Sequence, residues 1–163
     1  MTEIQRFDSP LAFEVVALFV ADHATIENNK VYVNGGFWDH LNIPDFPTQE
    51  SFTLVAGIKW PSRAFLEDHR IVVEIVDADE ERLPFRIDQN WRVGPAPHMQ
   101  PGEPMIVSLA FQVNGLWLEH AGDYWFVLSI DGEEKGRYRV RAIHMPVFQP
   151  PQQAPNGDDA EEE

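Results

Sequence analysis

An all-β fold is predicted by three observations. About eight short runs are apolar or alternate apolar and polar residues, turn signals separate them, and no stretch of a dozen residues repeats at 3.6 with capping residues at its ends. Two antiparallel sheets packed at a shallow angle would bury one face of each strand, so the expected architecture is an antiparallel immunoglobulin-like β-sandwich of about eight strands.

The strands follow in order. Residues 13–20 form a largely apolar run, and residues 30–38, "KVYVNGGFW", read as a strand with a bend at Gly35-Gly36. In "SFTLVAGIKW" the side chains of Phe52, Leu54, Ala56, Ile58 and Trp60 share a face. The segment "SRAFLED" predicts one helical turn capped by Ser62. In "HRIVVEIVD", Ile71, Val73 and Ile75 point one way. In "FRIDQNWRV", Phe85, Ile87, Trp91 and Val93 oppose Arg86, Asp88, Asn90 and Arg92, and in "MIVSLAFQV", Met105 through Val113 alternate inward. Residues 94–104 hold four prolines and two glycines and read as a loop.

The last two strands make a hairpin. Tyr124, Phe126, Leu128 and Ile130 share a face, but Trp125 and Val127 make the other face apolar too, as expected of a strand in mid-sheet. Asp131-Gly132 supplies the turn. On the return, Tyr138, Val140 and Ala142 face the core, so Arg137, Arg139 and Arg141 face solvent, because three unpaired guanidiniums are too costly to bury together. Their partners are a cross-strand acid, the acidic end "DDAEEE" of the chain, or an acidic patch on another protein.

The chain divides into a sandwich domain, 1–145, and a Pro/Gln-rich acidic tail, 146–163, expected to be disordered for want of anything to bury. The net charge of −15 argues against a nucleic-acid partner and against anionic membranes, both of which need cations on the protein. There is no cysteine, so disulfides, thiolate metal sites and cysteine nucleophiles are excluded. The longest apolar run, residues 15–21, is far short of the ~20 residues of a spanning helix, and the opening "MTEIQRFDSP" lacks the basic start of a signal peptide. The expected location is the cytoplasm, or a virion if the chain is phage-encoded.

Catalytic signals are missing: there is no G-x-S-x-G, no phosphate-binding glycine motif and no H-x-H or H-E-x-x-H. Asp-His occurs at Asp22-His23, Asp39-His40 and Asp68-His69, but neighbours on a strand point to opposite faces and chelate poorly. The turn "DADEE" has the oxygens calcium prefers, with Asp77, Asp79 and Glu80 as its ligands if it bound one; the expectation is no metal and no cofactor. Of five tryptophans, Trp60, Trp117 and Trp125 fit core or half-buried positions, whereas Trp38 and Trp91 stand near strand ends, where function concentrates.

The stretches "VADHATIENNKVYVNGGFWDHLNIPDFP", "FTLVAGIKW", "HRIVVEIVDAD" and "GDYWFVLSIDGEEKG" come in an order that resembles an uncharacterised family of small β-sandwich proteins of bacteria or phage. The resemblance implies a fold and no activity. Asn29 and Glu80 stand where that family often has glycine. The last strands are similar to those of immunoglobulin-like modules. The expected function is a non-enzymatic protein-binding or adaptor module, with Trp38, Trp91, Arg86, Arg92, Arg137, Arg139 and Arg141 at the contact surface. The alternative is a structural component of a larger particle; either way the partner is another protein or a further copy of the chain.

Overall fold

The computed structural model describes residues 12–148. It is all-β, with nine strands and one short 3-10 turn: β1 (Glu14–Glu27), β2 (Lys30–Gly36), β3 (His40–Ile43), β4 (Thr48–Trp60), β5 (Asp68–Asp77), β6 (Arg82–Arg92), β7 (Met105–Leu118), β8 (Gly122–Ile130) and β9 (Glu133–His144). The strands form two sheets, a four-stranded one in the order β2-β1-β4-β7 and a five-stranded one in the order β3-β9-β8-β5-β6. Residues 149–163, where most of the expected tail falls, lie outside the described residues.

The core sits between the sheets and is built from the faces the alternation predicts. Leu54, Ala56 and Ile58 of β4 meet Val107, Leu109 and Phe111 of β7 across one sheet, and Ile71, Val73 and Ile75 of β5 meet Ile130, Leu128 and Phe126 of β8 across the other. The Phe52 and Phe126 rings join the two layers, edge to face at 5.5 Å. Burying each such side chain contributes about 1.5–3 kcal/mol, so this shared face is what holds the two sheets together. β8 is the central strand of five, which accounts for apolar residues on both of its faces.

Three expectations are corrected. The described residues hold nine strands rather than about eight, because β3 has four residues and only Leu41 and Ile43 to mark it. It runs parallel to β9, so the sheets are not wholly antiparallel. The helical turn spans Ser62–Ala64 with Pro61 at the cap position and no side-chain cap bond, because Ser62 is already its first residue.

β1 runs well past its apolar stretch. Its second half pairs with β2 as a hairpin arm closed by Asn28-Asn29, both at positive φ (50° and 56°), the geometry of a tight hairpin turn. The arm lies over the outer face of the four-stranded sheet. The Asn29 side chain donates to the Ile106 carbonyl at 2.7 Å and accepts the Ser108 N–H at 2.9 Å, pinning the arm tip to β7. Phe19, Ala21, Ala24 and Val55 close into a second small core beneath the arm. Glycine suits the bend at Gly35: φ is 61°, and a Cβ there would stand 2.3 Å from an Asp22 carboxylate oxygen, so the Asp22 side chain would have to move.

Candidate functional site

The outer face of the five-stranded sheet gathers the charged side chains singled out in the sequence. The β5–β6 register sets Arg86 opposite Glu74, Asp88 opposite Val72 and Arg92 opposite Asp68; the β8–β9 register sets Arg137 opposite Val127, Arg139 opposite Trp125 and Arg141 opposite Asp123. With Arg70 and Arg82, seven of the nine arginines of the chain stand on this one face. Beneath them lies an apolar floor of Val72, Val76 and Val127, all buried, and the half-buried Trp125.

Nearly every arginine has a carboxylate. Arg70 grips Asp88 with two nitrogens, Arg86 bridges Glu74 and Asp88, Arg82 lies 3.5 Å from Glu74, and Arg92 chelates Asp68 at 2.9 and 2.8 Å. Arg141 chelates Asp123 at 2.7 and 3.1 Å. Arg137 holds Glu134 and reaches Glu80 at 2.8 Å. The Arg70 guanidinium holds the Asp88 carboxyl down at about 2, and Arg141 likewise lowers Asp123. The cross-strand acids expected as partners for the arginine row are therefore present for Arg137 and Arg141. Arg139 alone on this face has no carboxylate within ion-pair reach among the described residues. Glu80 takes a left-handed backbone, at φ of 60°, and its carboxylate bonds Arg137.

The two tryptophans placed with these arginines stand apart from them and from each other. Trp38 precedes β3 at one edge of the five-stranded sheet, and Trp91 lies on β6 at the other. Trp38 packs edge to face on Phe52 at 5.2 Å, its ring N–H buried with no partner among the described residues, while its carbonyl accepts from the Tyr138 hydroxyl. Trp91 is half-buried against the core, its ring N–H donating to Gln89. Trp117, expected at a core or half-buried position, is 45% exposed. Asn114 and Gly115 form a bulge in the β4–β7 ladder, so the inward parity passes from Val113 to Leu116 and Leu118 and Trp117 is turned out.

Two of the Asp-His pairs have roles of their own. His69 is only 4% exposed, in a box made with Phe13 and Trp60. Nδ1 faces an Asp131 carboxylate oxygen at 2.7 Å and Nε2 the Ala64 carbonyl at 3.1 Å. Both ring nitrogens are engaged, so the pair staples the β8–β9 turn to the 3-10 turn. Alternation along the strand, which sets His69 on the inner face, is the signal that could have found it. His40 bonds the neighbouring Asp39 near Arg141. In the "DADEE" turn the Asp77 carboxylate accepts the N–H groups of Asp79 and Glu81, and the described residues contain no group of three His, Asp or Glu arranged to hold a metal.

Residues 16–143 match a family of unknown function, DUF6941. The chain belongs to that family. No curated protein matches it in sequence. Among solved structures, the Pseudomonas fluorescens alkylpurine DNA glycosylase AlkC, bound to DNA containing an abasic site analog, superposes with a TM-score of 0.44 at 9% identity. The match covers 80% of this chain and 30% of that one, and at that level of likeness it carries no argument. Among the described residues no helix is long and apolar enough to cross a membrane, which says nothing of β-barrels.

Proposed function

We propose that this DUF6941 protein is a non-enzymatic protein-binding or adaptor module with an immunoglobulin-like sandwich architecture. The observation that carries the reading is the outer face of the five-stranded sheet: seven arginines in pairs and rows around a floor of Val72, Val76, Val127 and Trp125. Interfaces have this anatomy, with apolar groups at the centre, arginine enriched and a polar rim. Exposed ion pairs contribute about 0–1 kcal/mol each, so stability alone gives little reason for so many. Among the described residues of this face Arg139, between the bound pairs of Arg137 and Arg141, is the cation left to meet an incoming carboxylate. A cytoplasmic location suits a chain that has no cysteine, or a virion if the protein is phage-encoded.

The test is a comparison of captures. Full-length protein bearing Arg139→Glu and Arg141→Glu should lose a specific partner from source-cell extract that wild type retains, while Lys30→Glu and Lys59→Glu, on the other sheet, should keep it. Equal recovery by both variants sinks the reading. A second reading, a structural component of a larger particle, is favoured by β2, an edge strand whose seven residues are all exposed. Light scattering separates the two, since a particle component assembles to high order without a foreign partner.

A further inference from the structure

The two sheets have unequal width. β7 ends the four-stranded sheet and β6 ends the five-stranded one, both on the same side of the molecule. The core-facing residues of β6, including Leu83, Phe85 and Ile87, are only half-buried, because no strand of the opposite sheet fully covers them. Among the described residues β7 pairs with β4 alone. Asn29 bonds Ile106 and Ser108 on the side of β7 away from β4. The same parity turns the N–H and C=O groups of Ala110 and Gln112 outward. They face a groove of about 560 Å³ walled by Trp91 and the hairpin arm.

Two further hollows continue the groove along β7. One of about 150 Å³ lies between Phe85 and Leu116, and one of about 200 Å³ lies beside Trp117 and Tyr124. From Ser108 to Trp117 the row runs roughly 30 Å at ~3.3 Å per residue. Its end differs from its middle in charge. Asp77, Glu81 and Glu119 line the Trp117 region, and none has a cation partner among the described residues; Arg82 is turned to Glu74. Their field is felt by the Tyr124 hydroxyl, raised above its ordinary value first by burial and further by Asp77 and Glu119.

We propose that this side binds an extended segment of a protein partner, which adds a strand to β7 and carries a lysine or arginine at the end beside Trp117. Main-chain bonds to Ala110 and Gln112 supply the register, and alternate apolar side chains cover Leu83, Phe85 and Ile87. The cation meets Trp117 and the unpaired carboxylates together, which gives both charge complementarity and a cation–π contact. Antiparallel pairing, the more stable arrangement, sets the cation at the N-terminal end of the segment. The proposal deepens the protein-binding reading and rests on it, but it uses a surface distinct from the arginine face.

The probe is the labelled peptide Lys-Val-Thr-Val-Thr-Val-Thr-Val, titrated into the full-length protein by fluorescence anisotropy. It should bind saturably, at least tenfold more tightly than the same peptide beginning with Glu, and the difference should shrink as salt rises. Trp117→Ala and Ala110→Pro should each weaken binding at least tenfold. Proline is tolerated on an edge strand where its missing N–H faced solvent. Amide exchange gives a readout that does not depend on those variants folding. The N–H groups of Ala110 and Gln112 should exchange fast in the free protein, unlike those of Leu109 and Phe111, and become protected by the peptide. Absence of saturable binding, or indifference to the first residue of the peptide, overturns the proposal. Slow exchange in the free protein also overturns it: the edge is then already paired, by another part of this chain if the protein is monomeric and by a second copy if it is dimeric. Arg139→Glu should leave peptide binding unchanged, so failure here and failure of the arginine-face reading are told apart.

Discussion

The outer faces of the two sheets meet the same problem in opposite ways. Each has apolar residues that its strands turn away from the shared core. On the four-stranded sheet Phe19, Ala21 and Val55 are covered by the chain itself, because the β1–β2 arm folds back and brings Ala24 down onto them. On the five-stranded sheet no backbone among the described residues covers Val72, Val76 and Val127; paired arginines and carboxylates surround them instead. Beneath the arm the first face is a closed layer held by packing and a few short polar contacts. Thr53, fully buried, donates to Gln112 Oε1, and the Gln112 amide points to the Ala24 carbonyl. The second face stays open to solvent. A face covered by the chain adds stability, whereas a face laced by ion pairs adds little and remains able to meet a partner.

Truncation beneath the arm should have the largest effect. Phe19 is buried and stacks on Phe37 at 4.0 Å, with the exposed Phe37 held at φ of 64° so that its ring lies flat on its neighbour. Phe19→Ala should cost about 3–5 kcal/mol in urea unfolding, the range for core aromatics, and the loss should not change with salt. A loss below about 1 kcal/mol would mean the arm is not seated on the sheet in solution and the contrast between the faces fails.

The arm tip is the next point to break. Asn29→Gly keeps the positive φ but removes the side-chain bonds to Ile106 and Ser108. The expected cost is about 1–2 kcal/mol, one net hydrogen bond each, with faster amide exchange at Ser108. Asn29→Ala should cost more, since alanine adopts that backbone at a penalty of roughly 1–2 kcal/mol. Equal stability of Asn29→Gly and wild type would show that the tip is free.

Much of this was legible in the sequence, and what was not has physical causes. Alternation set Ile71, Val73, Phe126 and Leu128 inward, and Asp131-Gly132 forms its two-residue turn at φ of 51° and 81°. The face carrying Arg86, Arg92, Arg137, Arg139 and Arg141 was readable because parity is local. Which face Trp117 takes was not, because the bulge at Asn114 and Gly115 reverses parity and leaves only one glycine as its mark. The arm was illegible because its contacts with β7 are some 77 residues away in sequence, and Asn29 gives no local sign of what it will bond. Strand order, too, is non-local, and it alone decides that Trp38 and Trp91 end on opposite edges.

The smallest effect sharpens the comparison most, because it asks whether the ion-pair lattice forms in water. Asp88 is the test group. Two nitrogens of Arg70 hold it and Arg86 adds to them, so its carboxyl falls from the ordinary 3.8 to about 2. A depressed folded value means that the contribution of Asp88 to stability is fully present above the unfolded value and is lost as pH falls from about 4 toward 2. Asp88→Asn should therefore remove part of the acid limb of the stability profile and leave the profile above pH 5 parallel to wild type. Carboxyl-carbon NMR titration reads the group directly. Asp88 should titrate near 2 in wild type and return toward 3.8 in Arg70→Ala; half-molar salt should move it the same way, since exposed pairs are screened. The packing under the arm should be indifferent to the same salt. An Asp88 that titrates at the ordinary aspartate value at low salt would mean the arginines on this face are separately solvated, and the outer face of the five-stranded sheet would then be open to any carboxylate rather than to one that fits beside Arg139.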